Sequence, residues 1–151
     1  MDPTAAMPVF TSLEALTGLV TERRRLYVRW SRGPAVDLQR VSSMDDLTGA
    51  AMPGLSASPL DVEAWWADRP ARVWVARRLY DYSHLPRVKD PRTRPWVLTG
   101  QERGRGPDNE PLVRCVQPLG WIADRVIAEA DAVITRQPGS WGPIRRDGSA
   151  L

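Results

Sequence analysis

The clearest pattern of apolar and polar positions in this chain is a strict alternation over residues 26–31. In the run LYVRWS, every second side chain is aliphatic or a tryptophan, and the others carry a hydroxyl or a guanidinium group. Successive side chains of a β-strand point to opposite faces, so the run predicts a strand with one apolar and one polar face. The polar face would carry Tyr27, Arg29 and Ser31.

Two stretches carry the signals of a helix start. The letters TSLE predict a capped helix with Thr11 as its cap and an end near Arg24. In the letters SPLD, Ser58 as a cap, a first-turn proline and an acidic residue predict a helix running toward Asp68.

Apolar residues at helical spacing predict two more helices, one over 71–83 and one from Ile122 to Val133. Short apolar runs predict further strands, at 55–57, 96–99 and 110–116. Stretches containing proline, glycine or many charges are expected to be irregular, namely 32–54 (with one short helix from Ser42 or Ser43), 86–95 and 100–109.

These elements do not alternate regularly enough for a doubly wound parallel sheet. The sequence therefore predicts an α+β fold, with helices packed on a small, mostly antiparallel split sheet. The length of 151 residues fits a single domain. We expect that domain to cover residues 1–136 and residues 137–151 to form a loose tail.

Composition excludes several classes of site and compartment. One cysteine allows no intramolecular disulfide, and one histidine with scattered carboxylates gives no spacing typical of a metal site, so no metal is expected. Neither a signal peptide nor a membrane-spanning run is present, which predicts a cytoplasmic protein without a membrane partner. The cluster Arg23-Arg24-Arg25 could bind nucleic acid, but interleaved acidic residues favour a solvated surface.

Cys115 and the tryptophans have plain structural interpretations. Cys115 lies in an apolar run and is expected to be a buried thiol, not a nucleophile paired with His84. Trp65, Trp66 and Trp74 could stack on a ligand ring, but with a single phenylalanine in the chain they are expected to fill the core.

One set of residues, spread over three predicted strands, suggests chemistry. Arg29 could pair with a diphosphate, and Ser56 and Ser58 could orient a ribose. Glu110 could hydrogen-bond a ribose hydroxyl while an oxocarbenium-like centre develops. These are the requirements for cleaving the bond between nicotinamide and ribose. Each residue also has an ordinary alternative role, as a surface residue, a strand end, a helix cap or a solvated turn residue.

Over residues 26–122 the chain resembles an uncharacterised actinobacterial family of unknown function. The resemblance is carried by the letters LYVRWS, PGLS, WVLTG and GRGPDNEPLV. It implies no function by itself.

The order of Arg29, the Ser56-Ala57-Ser58 motif and Glu110 also resembles the ADP-ribosyltransferase superfamily. That resemblance implies an α+β split-sheet fold that binds NAD as its substrate, with Glu110 as the catalytic residue. It implies Arg29 and Ser56 as NAD-binding residues, with Ser58 and Tyr27 beside them.

Two positions depart from the superfamily pattern. Ala57 stands where threonine is common, and Asp108 stands where a second glutamate would direct the acceptor. The acceptor therefore stays undefined, with a protein or a nucleic acid as the candidates, and the sequence does not indicate an oligomeric state. Two other functions stay open: a non-catalytic nucleotide- or ligand-binding module, and a protein-interaction domain.

Overall fold

A computed structural model describes residues 7–40, 54–82, 92–106 and 110–136 of this chain. The described part contains six strands: β1 (Val9–Phe10), β2 (Leu26–Ser31), β3 (Leu55–Ser56), β4 (Ser58–Pro59), β5 (Arg94–Arg105) and β6 (Pro111–Ile122). Its four helices are α1 (Leu13–Glu22), α2 (Pro34–Arg40), α3 (Ala71–Tyr82) and α4 (Asp124–Thr135), and a 3-10 turn covers Ala64–Trp66.

All strands belong to one sheet with the order β1-β6-β5-β2-β4, and β3 pairs separately with β6. The pair β1–β6 is parallel, and the other four pairs are antiparallel. The predicted α+β class with a mostly antiparallel sheet is confirmed.

The short segment of β3 and β4 makes the sheet curl on itself. Leu55 of β3 pairs with Val113 of β6, whereas Ser58 of β4 pairs with Val28 of β2. Only Ala57 separates the two strands, and its N–H donates to the carbonyl of Pro111 at 3.1 Å. Residues 55–59 therefore bridge β6 and β2. The curled sheet has an inner face, inside the curl, and an outer face, on the opposite side.

Apolar side chains cover both faces. On the outer face, Leu26, Val28 and Val97 pack with the buried faces of α1, α3 and α4. On the inner face a second cluster forms, which comprises Met7, Tyr27, Leu55, Ala57, Trp96, Leu98 and Val113. The polar face predicted for β2 is thus the lining of the curl, which is why Tyr27 is only 6% exposed.

The helix α1 begins one residue later than predicted. Ser12, not Thr11, is the cap, and its hydroxyl accepts from the Ala15 N–H at 3.1 Å. The helix ends at Glu22 rather than near Arg24. The Leu13 N–H donates to Glu129 of α4 at 2.9 Å, which ties the helix start to the neighbouring helix.

The prediction of a helix from Ser58 toward Asp68 is wrong. Ser58 and Pro59 form β4 and pair with β2, and only the 3-10 turn Ala64–Trp66 follows. Proline is tolerated there because a strand at the edge of a sheet does not need every N–H.

Two segments predicted as irregular contain regular structure within their described residues. The helix α2 lies within 32–54, where Pro34 occupies the first turn, a position that suits proline. The strand β5 continues through 100–105, with irregular registers that accommodate its glycines. The strand β1 was not predicted. The other strands and helices lie near their predicted positions, although β6 extends to Ile122 and the last helix begins at Asp124 rather than at Ile122. The predicted helix from Ser42 or Ser43, most of 86–95 and the tail at 137–151 lie outside the described residues.

Candidate functional site

Arg29 lies on the inner face of the sheet, in an ion pair with Asp37 of α2. Its Nε donates to Asp37 Oδ2 at 2.6 Å, and its Nη1 donates to the carbonyl of Ser56 at 2.6 Å. Asp37 is 7% exposed and is the one buried charged residue in the described part of the chain. Two charges removed from water in this way need good partners, and the contacts supply them.

Ser31 extends the contacts of Asp37. Its hydroxyl donates to the Asp37 carboxylate and accepts from the Trp96 Nε1–H at 2.9 Å and from the Gly33 N–H at 3.1 Å. The start of α2 is therefore held to β2 and β5 by a continuous polar network. Asp37 was not among the predicted site residues, because its segment was expected to be irregular. The proline in the first turn of α2 was the available signal.

Ser56 and Ser58 lie in the segment that bridges the curl. Ser56 contributes its carbonyl to Arg29, and its Cα is the register partner of Leu112. Ser58 is half-buried in β4, opposite Val28. The structure thus brings Arg29 and Ser56 together through a backbone atom.

Glu110 lies at the end of the β5–β6 hairpin. Its carbonyl accepts from the Gly106 N–H at 2.9 Å, and its carboxylate lies against Gly106 so closely that any Cβ there would collide with it. The next residue, Pro111, accepts the hydrogen bond of Ala57. Glu110 is therefore one residue away from the contact between the serine motif and β6.

Tyr27 lies at the opposite end of β2 from the Ser31 network, between Pro59 of β4 and Leu98 of β5. Burial raises the pKa of its hydroxyl to about 12, and the charge of Glu102 and a hydrogen bond with it act in the same direction. Beside it is an open cleft of about 480 Å³, which is lined by Arg25, Tyr27, Gly100, Gln101, Glu102 and Arg103. Arg29, Ser56, Ser58 and Glu110 do not line this cleft.

Cys115 is exposed, so the prediction of a buried thiol is wrong. The strand β6 is irregular there, and the φ of Cys115 is 54°, a left-handed value that takes the side chain out of the alternating pattern. His84 lies outside the described residues. The core prediction holds for Trp66 and Trp74, which are 1% and 3% exposed, whereas Trp65 is 36% exposed.

The described residues include neither a metal-ligand cluster nor a helix that could cross a membrane. No group of three or more histidine, cysteine, aspartate or glutamate side chains is placed to hold a metal ion. No helix there has the length and apolar character needed to cross a bilayer.

Residues 3–142 match the model of a family described as Family of unknown function (DUF6098). The chain belongs to this family. No match was found among the curated proteins, and none among the solved structures. The match to DUF6098 includes every predicted site residue and extends beyond the 26–122 expected from the sequence motifs. It carries no link to ADP-ribosyltransferases or to actinobacteria, so both stay predictions from the sequence.

Proposed function

We propose that this DUF6098 protein is an ADP-ribosyltransferase-like domain that uses NAD as its substrate. The observation that supports the proposal is the meeting of three segments within the curled sheet. Arg29 contacts the Ser56 carbonyl, and Ala57 contacts Pro111, the neighbour of Glu110. Chain segments far apart in sequence are thus brought side by side.

In this reaction the bond between the nicotinamide nitrogen and ribose C1′ breaks, and its electron pair leaves with nicotinamide. Glu110 would hydrogen-bond the ribose 2′-hydroxyl and stabilise the positive charge that develops at C1′. The acceptor nucleophile, on a protein or a nucleic acid, then bonds to C1′ and releases its proton. Arg29 would pair with the diphosphate, and Ser56, Ser58 and Tyr27 would be the further NAD-binding residues that the resemblance implies.

The fit of NAD to these residues depends on Asp37. An NAD phosphate and the Asp37 carboxylate would compete for one guanidinium, because Nε of Arg29 is already 2.6 Å from Asp37 Oδ2. Binding of the diphosphate by Arg29 therefore requires Asp37 to move away, because Nη1 already donates to the Ser56 carbonyl at 2.6 Å. Replacing Asp37 with asparagine removes the competing charge and should strengthen NAD binding in protein that remains folded.

The test is calorimetric NAD binding together with nicotinamide release over a day. The intact protein and Glu110→Gln should both bind NAD, and only the intact protein should release nicotinamide. Glu14→Gln is the matched control, because Glu14 is an exposed glutamate on α1, outside the predicted site. Equal release by the intact protein and Glu110→Gln would remove Glu110 from catalysis, and absence of NAD binding would overturn the proposal.

A second candidate function is a nucleotide- or ligand-binding module without catalysis. Two observations favour it: Arg29 is engaged by groups of its own fold, and the carboxylate of Glu110 lies against Gly106. The same experiment separates the two functions. NAD binding with no nicotinamide release from either protein would support the binding module.

A further inference from the structure

The strand β5 extends beyond the strand that pairs with it on one side. It has 12 residues, but β2 pairs with it only from Arg94 to Thr99. From Gly100 to Arg105, its pairing partner within the described ranges is β6 alone. Over these residues, the side of β5 turned away from β6 therefore presents an edge that no described strand covers, called the open edge below.

The open edge exists because β2 begins only at Leu26, and the chain before it, up to Arg25, does not run along the sheet. Arg25 has a left-handed φ of 62°, and Asp61 accepts from the N–H groups of Arg25 and Leu26 at 2.7 and 3.0 Å. The Thr99 hydroxyl donates to the Arg25 carbonyl at 2.7 Å. These contacts fix the point at which β2 begins, so the space beside Gly100–Arg105 is not filled by the preceding residues.

The cleft of about 480 Å³ lies at this edge, because its lining runs along Gly100–Arg103 and crosses to Arg25 and Tyr27. Its charge is mainly positive. Glu102 is engaged by Tyr27 and lies 3.7 Å from Arg105. Arg103 donates to the neutral Gln101 at 2.7 Å, and neither Arg25 nor Arg103 forms an ion pair with a carboxylate of a described residue.

We propose that residues Gly100–Arg105 bind an extended, acidic peptide segment of a partner protein, which adds to β5 as a further strand. An open strand edge supplies backbone donors and acceptors for such a peptide, and the cleft beside it has room for alternate side chains. The arginines at the edge select acidic side chains.

The probe is a fluorescent peptide of about eight residues with alternating valine and glutamate, a length typical of a strand. Binding is measured by fluorescence anisotropy for the intact protein, for Arg103→Glu and for Arg125→Glu as the matched control. Arg125 is an arginine of α4 whose side chain is 72% exposed. The same peptide with lysine in place of glutamate tests the charge preference, and hydrogen exchange locates the bound strand.

We expect the glutamate peptide to bind, to bind about fivefold more weakly to Arg103→Glu, and to bind equally well to Arg125→Glu. Hydrogen exchange should slow at amides within Gly100–Arg105. Several results would overturn the proposal: no binding, equal binding of the lysine peptide, or slowed amides elsewhere. Binding of a single-stranded oligonucleotide through Arg103 without slowed amides, or self-association through this edge, would also overturn it. These outcomes are independent of NAD, so the peptide site and the proposed enzyme can fail separately.

Discussion

Arg29 joins three parts of the molecule through one side chain. It extends from β2 and binds the carboxylate of α2 and the backbone of β3. Because Asp37 is buried, loss of either charge would leave the other in a poorly solvated place, which typically costs several kcal/mol. The pair therefore specifies where α2 packs, whatever ligand the protein binds.

Tyr27 gives a prediction of pH dependence at the scale of one residue. Its pKa is raised to about 12 in the folded protein, against an ordinary value of 10.0. The contribution of the neutral hydroxyl is complete below the unfolded value and is lost as the pH rises toward the folded value. Between about pH 9 and about pH 11 the free energy of unfolding should fall by roughly 1 kcal/mol more in the intact protein than in Tyr27→Phe.

Urea unfolding of both proteins at the two pH values measures this difference. Tyr80→Phe is the control, because Tyr80 is 37% exposed on α3. An identical pH dependence in the intact protein and Tyr27→Phe would show that Tyr27 titrates normally.

At the scale of the element, local signals predicted some segments and failed for others. The strand β2 is predicted with its observed bounds because alternation over six residues is a property of the segment itself. Ser58 and Pro59 carry equally clear local signals for a helix start, but pairing with β2 decides their conformation. That pairing joins residues thirty positions apart, such as Val28 and Ser58, and no local pattern encodes it.

The site residues show the same limit of local patterns. Arg29, Ser56 and Glu110 could be selected from residue type and order. The partner of Arg29 could not, because the position of Asp37 depends on how α2 packs beneath the curled sheet.

The packing of α2 gives a prediction at this scale. Gly33 precedes the helix with a φ of 117°, and a Cβ there would collide with the ring of Trp121. Gly33→Ala should therefore lower the free energy of unfolding by about 2–3 kcal/mol. In Gly18→Ala, within α1, an added Cβ meets nothing within 4 Å, so this variant should gain roughly 0.5–1 kcal/mol. Denaturant unfolding compares the two, and equal stabilities would contradict the contact with Trp121.

At the scale of the whole molecule, two cores share one sheet. Val28 and Val97 belong to the helix-covered core, whereas their neighbours Tyr27 and Leu98 belong to the core inside the curl. Because successive residues of the same strands serve both cores, neither core can lose its packing without disturbing the other. We expect the two layers to unfold together.

Substitution in each core tests this expectation. Leu98→Ala in the inner core and Leu16→Ala in the outer core should each cost about 2–5 kcal/mol, since both side chains are fully buried. In both variants, helix content by circular dichroism and tryptophan fluorescence should give one shared transition. Separate midpoints in Leu98→Ala would show that the inner core melts on its own.

The bridge of β3 and β4 also sets an order of events during synthesis on the ribosome. The segment at 55–59 is made well before β6, and it cannot pair at Leu112 and Val113 until those residues have left the exit tunnel. Until then β6 is missing from the curled sheet, so the inner apolar side chains and the Arg29–Asp37 pair are only partly enclosed. Nascent chains that stop before β6 should therefore be targets for chaperones, because transiently exposed apolar surface is what such factors bind.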